Sequence, residues 1–452
     1  MFQGAGINSV YPKDFHNFSP RLGFAYKVGQ KGDLVVRGGF GVYFDTPNLN
    51  PFLDNRPSNG APNGLEGNPA GPSPVQTIPN NGFTIASGVP LFIPSATPCV
   101  TGNGCGQVFN IFSVSQDFRT PYNYNYNLQI EKSLGRSLLW QIGYVGSAAH
   151  RLMTTADINQ AAFVPSQAAI EFSPTSTPAQ VAAAQAAIAA TQPFHTTFPD
   201  FGVINQIETN GNSNYNSLQT VLKVRQWHRF TSQFTYTWAH GLDDMTAYRG
   251  TLAQDSTNLK GDYGSMDFDT RHTFTGVLNY DLPSASRMKL LLNGWALSSL
   301  VSLHTGQPFT VFSSSDNTGT NEGEQRADLI GDPFAGVSHS FSKSGVTWIN
   351  PAAFADPAPG TQGNSGRNAF YGPGYASTDF SVVKNTKITE RINTQFRVEM
   401  FNLFNRINLA PPSGTVGSGL GLSADTIGDF NGDPGIGPGE AFNLQLALKI
   451  IF

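Results

Sequence analysis

The stretch AFNLQLALKIIF (residues 441–452) alternates between apolar and mostly polar or small residues. Its apolar positions are Phe442, Leu444, Leu446, Leu448, Ile450 and Phe452. A period of two predicts a β-strand, because successive side chains of a strand point to opposite faces. A strand of roughly 9–11 residues can cross a bilayer when it is tilted. The stretch therefore predicts a membrane-spanning strand with one lipid-facing side.

The same alternation recurs along the sequence. It is clear in RINTQFRVEM (391–400), YNYNYNLQIEK (122–132) and RFTSQFTYTWAH (229–240). Weaker examples are RLGFAYKV, LVVRGGFGVYF, LLWQIGYVG, LQTVLKVRQ, TRHTFTGVLNY, GWALSSLVSLH and DFSVVKN. Together these segments predict about eleven strands of membrane-spanning length. The fold class is therefore all-β, a transmembrane antiparallel β-barrel.

Short and long connections alternate between the predicted strands. Short turns such as GQKGD (29–33) and LGRS (134–137) separate long segments rich in Gly, Pro, Asn and Ser. Outer-membrane barrels have this rhythm, with short periplasmic turns and long extracellular loops. We expect one domain over residues 1–452, in which 1–19 is the tail of a loop and 20–452 carries the strands. Both ends of such a barrel normally face the periplasm, so the last of the eleven strands runs towards the periplasm and the first runs the same way. An odd number of strands is then expected upstream. Eleven is half of 22, the size of plugged outer-membrane transporters, so we expect the C-terminal half of such a barrel.

The composition excludes several classes of protein. Charged residues make up 13% of the sequence, about half of the roughly 25% of a soluble domain. The net charge is −4 without a basic block, so nucleic acid is not an expected partner, whereas outer-membrane lipid is. No catalytic motif stands out, and neither an enzyme activity nor a cofactor is expected. The segment MFQGAGINSVYPKDF lacks the pattern of a signal peptide, so we expect further sequence upstream.

Two weak site signals lie in predicted loops. Cys99 and Cys105 in CVTGNGC suit a small disulfide-closed loop in an oxidising compartment, and two free thiols are the alternative. Asp429, Asn431 and Asp433 in DFNGDPG alternate oxygen ligands around a glycine, which resembles part of a calcium site. A solvated acidic turn is the more ordinary interpretation of that second segment.

Charged and amide side chains occupy the polar side of the predicted strands. These residues are expected to line the lumen, where they could contact a plug or a substrate: Arg37, Gln129, Glu131, Lys223, Arg225, Arg397 and Glu399. The alternative is that any barrel interior must be polar and internally paired. Aromatic residues near strand ends are expected in the interfacial girdles, namely Tyr43, Trp140, Tyr144, Trp238 and Trp295. The Ala-rich segment 177–191 predicts a short loop helix that begins at Thr177.

Several longer motifs, in order, resemble one family. They are NFSPRLGFAY, DTRHTFTGVLNYDLP, GWALSSLVSLHTGQPFTV, RADLIGDPF, GRNAFYGPGYASTDFSVVKNTKI and RVEMFNLFNRINLAPP. They look like the C-terminal barrel of TonB-dependent receptors of the Oar-like, acidobacterial type. The alternating strand with Phe452 resembles the signal that the barrel-assembly machinery recognises. The signal peptide, TonB box and plug of that family do not occur in this sequence, so contact with TonB is expected only through a plug region outside it.

The resemblance implies a function and a location. We expect the barrel portion of an outer-membrane receptor in a Gram-negative bacterium, which imports an unidentified substrate with energy delivered through TonB. The alternative is a surface-exposed adhesion or assembly protein that uses the barrel as an anchor, with the long loops as its functional part.

Overall fold

The computed structural model describes residues 14–29, 32–45, 75–77, 84–86, 109–197, 201–246, 253–320, 322, 324–417, 419–432 and 437–452. One large sheet dominates them, and its main path contains eleven strands in chain order. These are β1 (Arg21–Val28), β2 (Leu34–Phe44), β3 (Tyr122–Leu134), β4 (Leu138–Asp157), β5 (Phe201–Trp227), β6 (Phe230–Asp243), β7 (His272–Asp281), β8 (Trp295–His304), β9 (Tyr375–Lys387), β10 (Asn393–Phe401) and β11 (Asn443–Ile451). The all-β prediction is confirmed.

Each strand of the path is antiparallel to the next. Two short strands lie off the path: Phe109–Val114 pairs in parallel with β5, and Gly264–Ser265 pairs with β6. The described strands do not close into a ring, because β1 and β11 lie at the two ends of the path. The expected half of a larger barrel therefore stays a prediction.

The register separates the side chains into two faces. Leu446 lies opposite Val398, which lies opposite Val382, and Val382 lies opposite Leu297. Residues in register point to the same side of a sheet, so the apolar positions of successive strands form one continuous surface. We call it the apolar face; it includes Leu128, Leu218, Phe234, Leu278, Leu297, Val382, Val398 and Leu446. The opposite polar face includes Gln129, Gln219, Gln233, Asn279, Ser298, Ser381, Glu399 and Gln445.

Aromatic residues mark the two ends of the apolar face. On β6, Phe230 lies beside the short turn and Trp238 lies near the loop end. Their separation is roughly 27 Å along the strand, or about 20 Å across the membrane at a tilt of about 40°. Tyr43 differs from the predicted girdle, because it lies opposite Asn123 on the polar face and its ring carries the guanidinium of Arg21 at 4.5 Å.

Glycines within the strands are covered by aromatic rings. The ring of Phe24 lies over Gly38, and the ring of Tyr126 lies over Gly146; a Cβ atom at either glycine would collide with the ring. A glycine leaves a gap on a pleated surface, and a neighbouring ring that fills it restores the packing and fixes the register. The glycine-rich sequence of β2 is thereby compatible with a strand.

Two strands extend well beyond the predicted spans. The sequence pattern suggests strands over 138–146 and 218–226, whereas β4 and β5 contain 20 and 27 residues. The added segments pair with each other, for example Met153 with Thr209, across a bulge at Leu152. Their apolar and polar residues do not alternate, because adjacent residues that point to opposite faces, such as Thr154 and Thr155, are both buried by protein. Period-two reasoning therefore misses them.

Helices are short and lie in connections. They are α1 (Pro165–Glu171), α2 (Pro178–Ala189), α3 (Lys289–Leu292) and α4 (Ile427–Phe430), with 3-10 turns at Leu259–Asp262 and Pro351–Ala353. Thr177 caps α2 by accepting a hydrogen bond from the Gln180 N–H, as predicted for this segment. No described helix is both long and apolar enough to span a bilayer.

The remaining strands are two or three residues long and lie in the connections. They are Val75–Thr77, Thr84–Ala86, Pro308–Phe309, Asp328–Leu329, Phe341–Ser342, Gly345–Thr347, Phe354–Ala355, Phe370–Tyr371 and Leu422–Ser423. Most of them belong to the segments that follow β8 and β10, where they pair locally outside the main sheet.

Candidate functional site: the polar face and the outer loop layer

Charged residues of the polar face form ion pairs within the wall. Arg37 on β2 pairs with Glu131 on β3 at 3.9 Å, and the Gln141 side chain donates a hydrogen bond of 2.7 Å to Glu131. On β10, Arg397 forms an ion pair with Glu399. These carboxylates already have partners within the wall, which favours internal pairing over a free binding group.

The predicted lumen-lining residues all lie on the polar side but do not gather at one point. Gln129 lies opposite Arg37, whereas Lys223 lies on β5 opposite Gln233 of β6. The exposed Arg225 follows Lys223 on the same strand. The third group, Arg397 and Glu399, is five strands further along the path on β10. The wall therefore presents separate charged points, and its role in a substrate path stays a prediction.

The long connections at the loop end of the sheet form a layer with its own hydrophobic core. We call residues 244–271, 305–374 and 402–442 the outer loop layer, within the described ranges. The core cluster consists of Val311, Ala327, Ile349, Ala353, Phe354, Phe370 and Leu420, with Phe309, Trp348 and Val416 packed against it. The Trp348 indole N–H donates to the Tyr371 carbonyl at 2.7 Å, which satisfies the polar atom of this large side chain. Such a core indicates that these loops fold rather than extend into solvent.

A buried arginine attaches the outer loop layer to the sheet. The Arg367 side chain is 4% exposed and forms an ion pair with Asp243 at the end of β6. Its Nε donates to the Asp262 carbonyl at 2.8 Å, and its Nη1 lies 3.7 Å from Asp267. A guanidinium has several donors in a fixed plane, so one side chain can join three segments.

A second arginine repeats this arrangement. Arg326 pairs with Asp262 and also donates to the Gly261 carbonyl at 3.3 Å. Burial raises the pKa of Asp262 above its ordinary value, and the positive charge of Arg326 opposes that effect. Arg326 and Arg367 therefore compensate a carboxylate that the loop fold removes from water.

Acidic residues meet where the loop layer contacts the extended β4–β5 hairpin. We call Asp157, Asp255, Asp316 and Glu322 the acidic junction. The Ser256 hydroxyl donates to Glu322 at 2.5 Å, and the Asp157 N–H donates to the same hydroxyl oxygen at 3.0 Å. Glu322 is buried, and this burial is the main cause of its raised pKa of about 7. The junction thus holds a carboxyl group that titrates near neutral pH.

The predicted calcium segment lies in the same layer. Asp429 is exposed within α4, Asn431 is exposed at its C-terminal end, and Asp433 falls outside the described residues. Glu440 accepts hydrogen bonds from the Thr426 hydroxyl and, at 3.1 Å, from the Asp429 N–H. Within the described ranges, no group of three or more His, Cys, Asp or Glu side chains is arranged to hold a metal ion. Glu440 therefore serves the cap of α4, and a calcium site remains only a prediction.

The predicted assembly strand is β11. Its apolar residues Leu444, Leu446, Leu448 and Ile450 are opposite residues of the apolar face of β10 and are largely exposed, as are Phe442 and Phe452. This exposure is what a lipid-facing surface requires. Cys99 and Cys105 lie outside the described residues, so their pairing stays a prediction.

A protein-family profile described as an outer membrane beta barrel domain matches residues 1–432. The chain belongs to this family. An outer membrane beta-barrel domain lies in the outer membrane of a Gram-negative bacterium, which confirms the predicted location. The comparison with curated protein sequences returned no match.

Solved structures that resemble this outer membrane beta-barrel domain are transporters and receptors. The outer membrane transporter YddB from Escherichia coli is 9% identical, with a TM-score of 0.49 over 96% of this chain and 40% of that protein. The ferric enterobactin receptor PfeA from Pseudomonas aeruginosa is 10% identical, with a TM-score of 0.45 over 96% and 40%. The FrpB iron transporter from Neisseria meningitidis is 9% identical, with a TM-score of 0.42 over 96% and 39%. The chain thus spans about two fifths of the length of these proteins.

Sequence reasoning missed the buried ionic contacts of this beta-barrel domain. Arg326 and Arg367 lie inside quoted motifs, but their partners Asp243 and Asp262 are distant in sequence. Glu322 lies in a segment whose composition indicates an ordinary polar loop. No local pattern identifies such partners, because the pairing depends on how the loops fold over one another.

Proposed function

We propose that the chain is the barrel portion of a TonB-dependent outer-membrane receptor that imports a bulky substrate. The observation that carries this proposal is the direction of the two edge strands. In an antiparallel path of eleven strands, β1 and β11 run the same way. A barrel that contains this sheet and keeps antiparallel neighbours therefore needs an odd number of further strands. Eleven more would make about 22, the size at which barrels enclose a plugged lumen.

The two faces and the loop layer support the same proposal. An apolar face can contact lipid while the polar face lines a lumen, as in barrels that conduct polar solutes. The outer loop layer covers the loop end of the wall with folded structure, and substrate capture would take place there. Gating and contact with TonB would belong to a plug region outside this sequence. The proposed chemistry is binding and translocation, with no covalent step.

The alternative is a surface adhesion or assembly protein anchored by the barrel. The hydrophobic core of the outer loop layer favours it, because a folded outer platform is a surface that another cell or protein can recognise. The two functions differ in their dependence on TonB. An adhesin would work unchanged in cells that lack TonB, whereas import would stop.

Site-specific photo-cross-linking in the native host tests the proposal. The natural full-length protein is expressed with cells energised or de-energised, and contact with the periplasmic domain of TonB is followed. We expect a cross-linked complex from a site near the N-terminal plug, and none from a matched site in the outer loop layer such as Asp425. A full-length protein that assembles, shows heat-modifiable gel mobility and never contacts TonB would contradict the proposal and favour anchoring.

The barrel-assembly machinery is the second proposed partner. We infer that it recognises the apolar residues of β11 while the strand is still unpaired. The exposure of those side chains supports this role, since the machinery must bind them before lipid covers them.

A further inference from the structure

The connection between β7 and β8 exposes four large apolar side chains, whereas the described β9–β10 turn exposes two, Ile388 and Ile392. The β7–β8 connection runs from residue 282 to 294 and contains α3. Leu290, Leu291 and Leu292 are 67%, 56% and 45% exposed, and the neighbouring Met288 is 66% exposed. Four large apolar side chains exposed to water within five residues would be costly. Such a surface indicates that something apolar covers it.

The connection is held in a defined position against the sheet. The Trp295 indole N–H donates to the Leu291 carbonyl at 2.8 Å, and the Lys384 ammonium donates to the Leu290 carbonyl at 2.9 Å. Lys384 also lies 5.6 Å from the centre of the Trp295 ring. Asn293 accepts a hydrogen bond of 2.6 Å from the Ala285 N–H, which closes the turn. The leucines are therefore presented by a built turn.

The two residues that hold the turn belong to the apolar face. Trp295 and Lys384 lie opposite each other in register. Trp295 is two positions before Leu297 on β8, and Lys384 is two positions after Val382 on β9, so both point to the apolar face. The leucine surface is thus continuous with the lipid-facing surface at its short-turn end. In outer-membrane barrels this end is periplasmic, and Trp with a long basic side chain is typical of the membrane interface.

Positive charge flanks the leucines. Arg287 and Lys289 are exposed in the same connection, on either side of Met288. Phospholipid headgroups carry phosphate, which guanidinium and ammonium groups bind through charge-assisted hydrogen bonds. An apolar surface with basic residues at its margin matches a membrane surface.

We propose that the β7–β8 connection is an interfacial anchor that inserts Leu290–Leu292 among phospholipids of the periplasmic leaflet. Arg287 and Lys289 bind the headgroup phosphates, and Lys384 and Trp295 hold the turn in place. The anchor fixes the height of this hairpin relative to the bilayer. It rests on the beta-barrel fold and its location, and not on the transport function.

Spin labelling of the full chain in vesicles of phosphatidylethanolamine and phosphatidylglycerol tests the proposal. Cysteine replaces Leu291, and matched controls carry it at Arg136 in another short turn or at Leu297 in the apolar face; Cys99 and Cys105 are replaced by serine. Collisions of the label with oxygen, which enters lipid, are compared with collisions with a water-soluble nickel chelate. We expect the ratio at Leu291 to be several-fold above that at Arg136 and below or equal to that at Leu297.

Three results would overturn the anchor. A ratio at Leu291 equal to that at Arg136 would place the leucines in water. Shielding of Leu291 from both oxygen and nickel would place them under protein. The Arg287→Gln/Lys289→Gln variant should lose several-fold of the wild-type preference for spin-labelled phosphatidylglycerol over phosphatidylcholine. An unchanged preference would show that these two residues do not bind the headgroups. The double variant retains all apolar residues, so its folding is checked by heat-modifiable mobility.

Discussion

The carboxyl group of Glu322 should make the outer loop layer sensitive to pH. Burial is the main cause that raises its pKa from 4.5 to about 7; the Ser256 hydroxyl opposes it, and the carboxylates of the acidic junction add to it. When the layer opens, the group regains its ordinary pKa. Protonation therefore stabilises the closed layer fully below about pH 4.5, and this stabilisation is lost as the pH rises to about 7.

The magnitude follows from the size of the shift. A difference of about 2.5 pKa units is roughly 3 kcal/mol at about 1.4 kcal/mol per unit. Part of this stabilisation is already lost at pH 5.5. Loss of the remainder between pH 5.5 and 8.5 raises the equilibrium constant for opening of the layer by roughly thirtyfold. The Glu322→Gln variant keeps a neutral side chain whose oxygen still accepts from Ser256 and whose amide can donate to the adjacent carboxylates. It should abolish this dependence.

Proteolysis of the full chain in lipid nanodiscs measures the effect. Cleavage in the outer loop layer is followed at pH 5.5 and 8.5 and normalised to cleavage of an unfolded substrate, so that the rate reports the opening equilibrium. Wild type should be cleaved roughly thirtyfold faster at pH 8.5 than at pH 5.5, whereas Glu322→Gln should be cleaved at nearly the same rate at both. Asp425→Asn, which removes an exposed carboxylate in the same layer, is the control and should behave like wild type. Equal pH dependence in wild type and Glu322→Gln would refute the reasoning.

Three further variants test other parts of the structure. Arg367→Ala leaves the buried Asp243 carboxylate without its cation and should destabilise the outer loop layer by about 3–5 kcal/mol, seen as rapid loop proteolysis with an intact barrel; unchanged protection would contradict the ion-pair account. Gly294→Ala should impair assembly because its Cβ would collide with the Asn385 carbonyl. Gly135 has a φ of +73° but open space around it, so Gly135→Ala should cost only about 1–2 kcal/mol of stability. Equal amounts of folded, heat-modifiable protein from both variants would contradict this. Phe452→Asp in the natural full-length protein should lower its level in the outer membrane of a protease-deficient strain, because the assembly signal is lost. A normal level with only a lower melting temperature would show that Phe452 contributes packing and not an assembly signal.

The strands could be predicted because lipid imposes a simple rule. Every residue of β11 from Leu444 to Ile450 faces either lipid or the polar side, so the alternation is visible in the sequence. The same rule located RLGFAYKV, which coincides with β1. Where the rule stops applying, as in the extension of β4 beyond residue 146, the prediction was too short.

The site could be predicted only in part because its contacts are not local. Arg37 and Glu131 were identified as polar-face residues, but their pairing depends on the register of β2 with β3. Arg367 and Asp243 are far apart in sequence, and their ion pair exists only once the loop layer has folded. The sequence does not reveal how the leucines of α3 are presented, since this depends on hydrogen bonds from Trp295 and from Lys384 of another hairpin.

The central claim is that one face of the sheet contacts lipid and the other faces a polar lumen. Its most direct test is quenching of a bimane label by brominated phospholipid in the reconstituted full chain, with Cys99 and Cys105 replaced by serine. Labels are placed at the neighbouring pairs Leu128 and Gln129, and Leu446 and Gln445. We predict strong quenching at both leucines and little at both glutamines. Equal quenching within each pair, or quenching confined to the glutamines, would contradict the account.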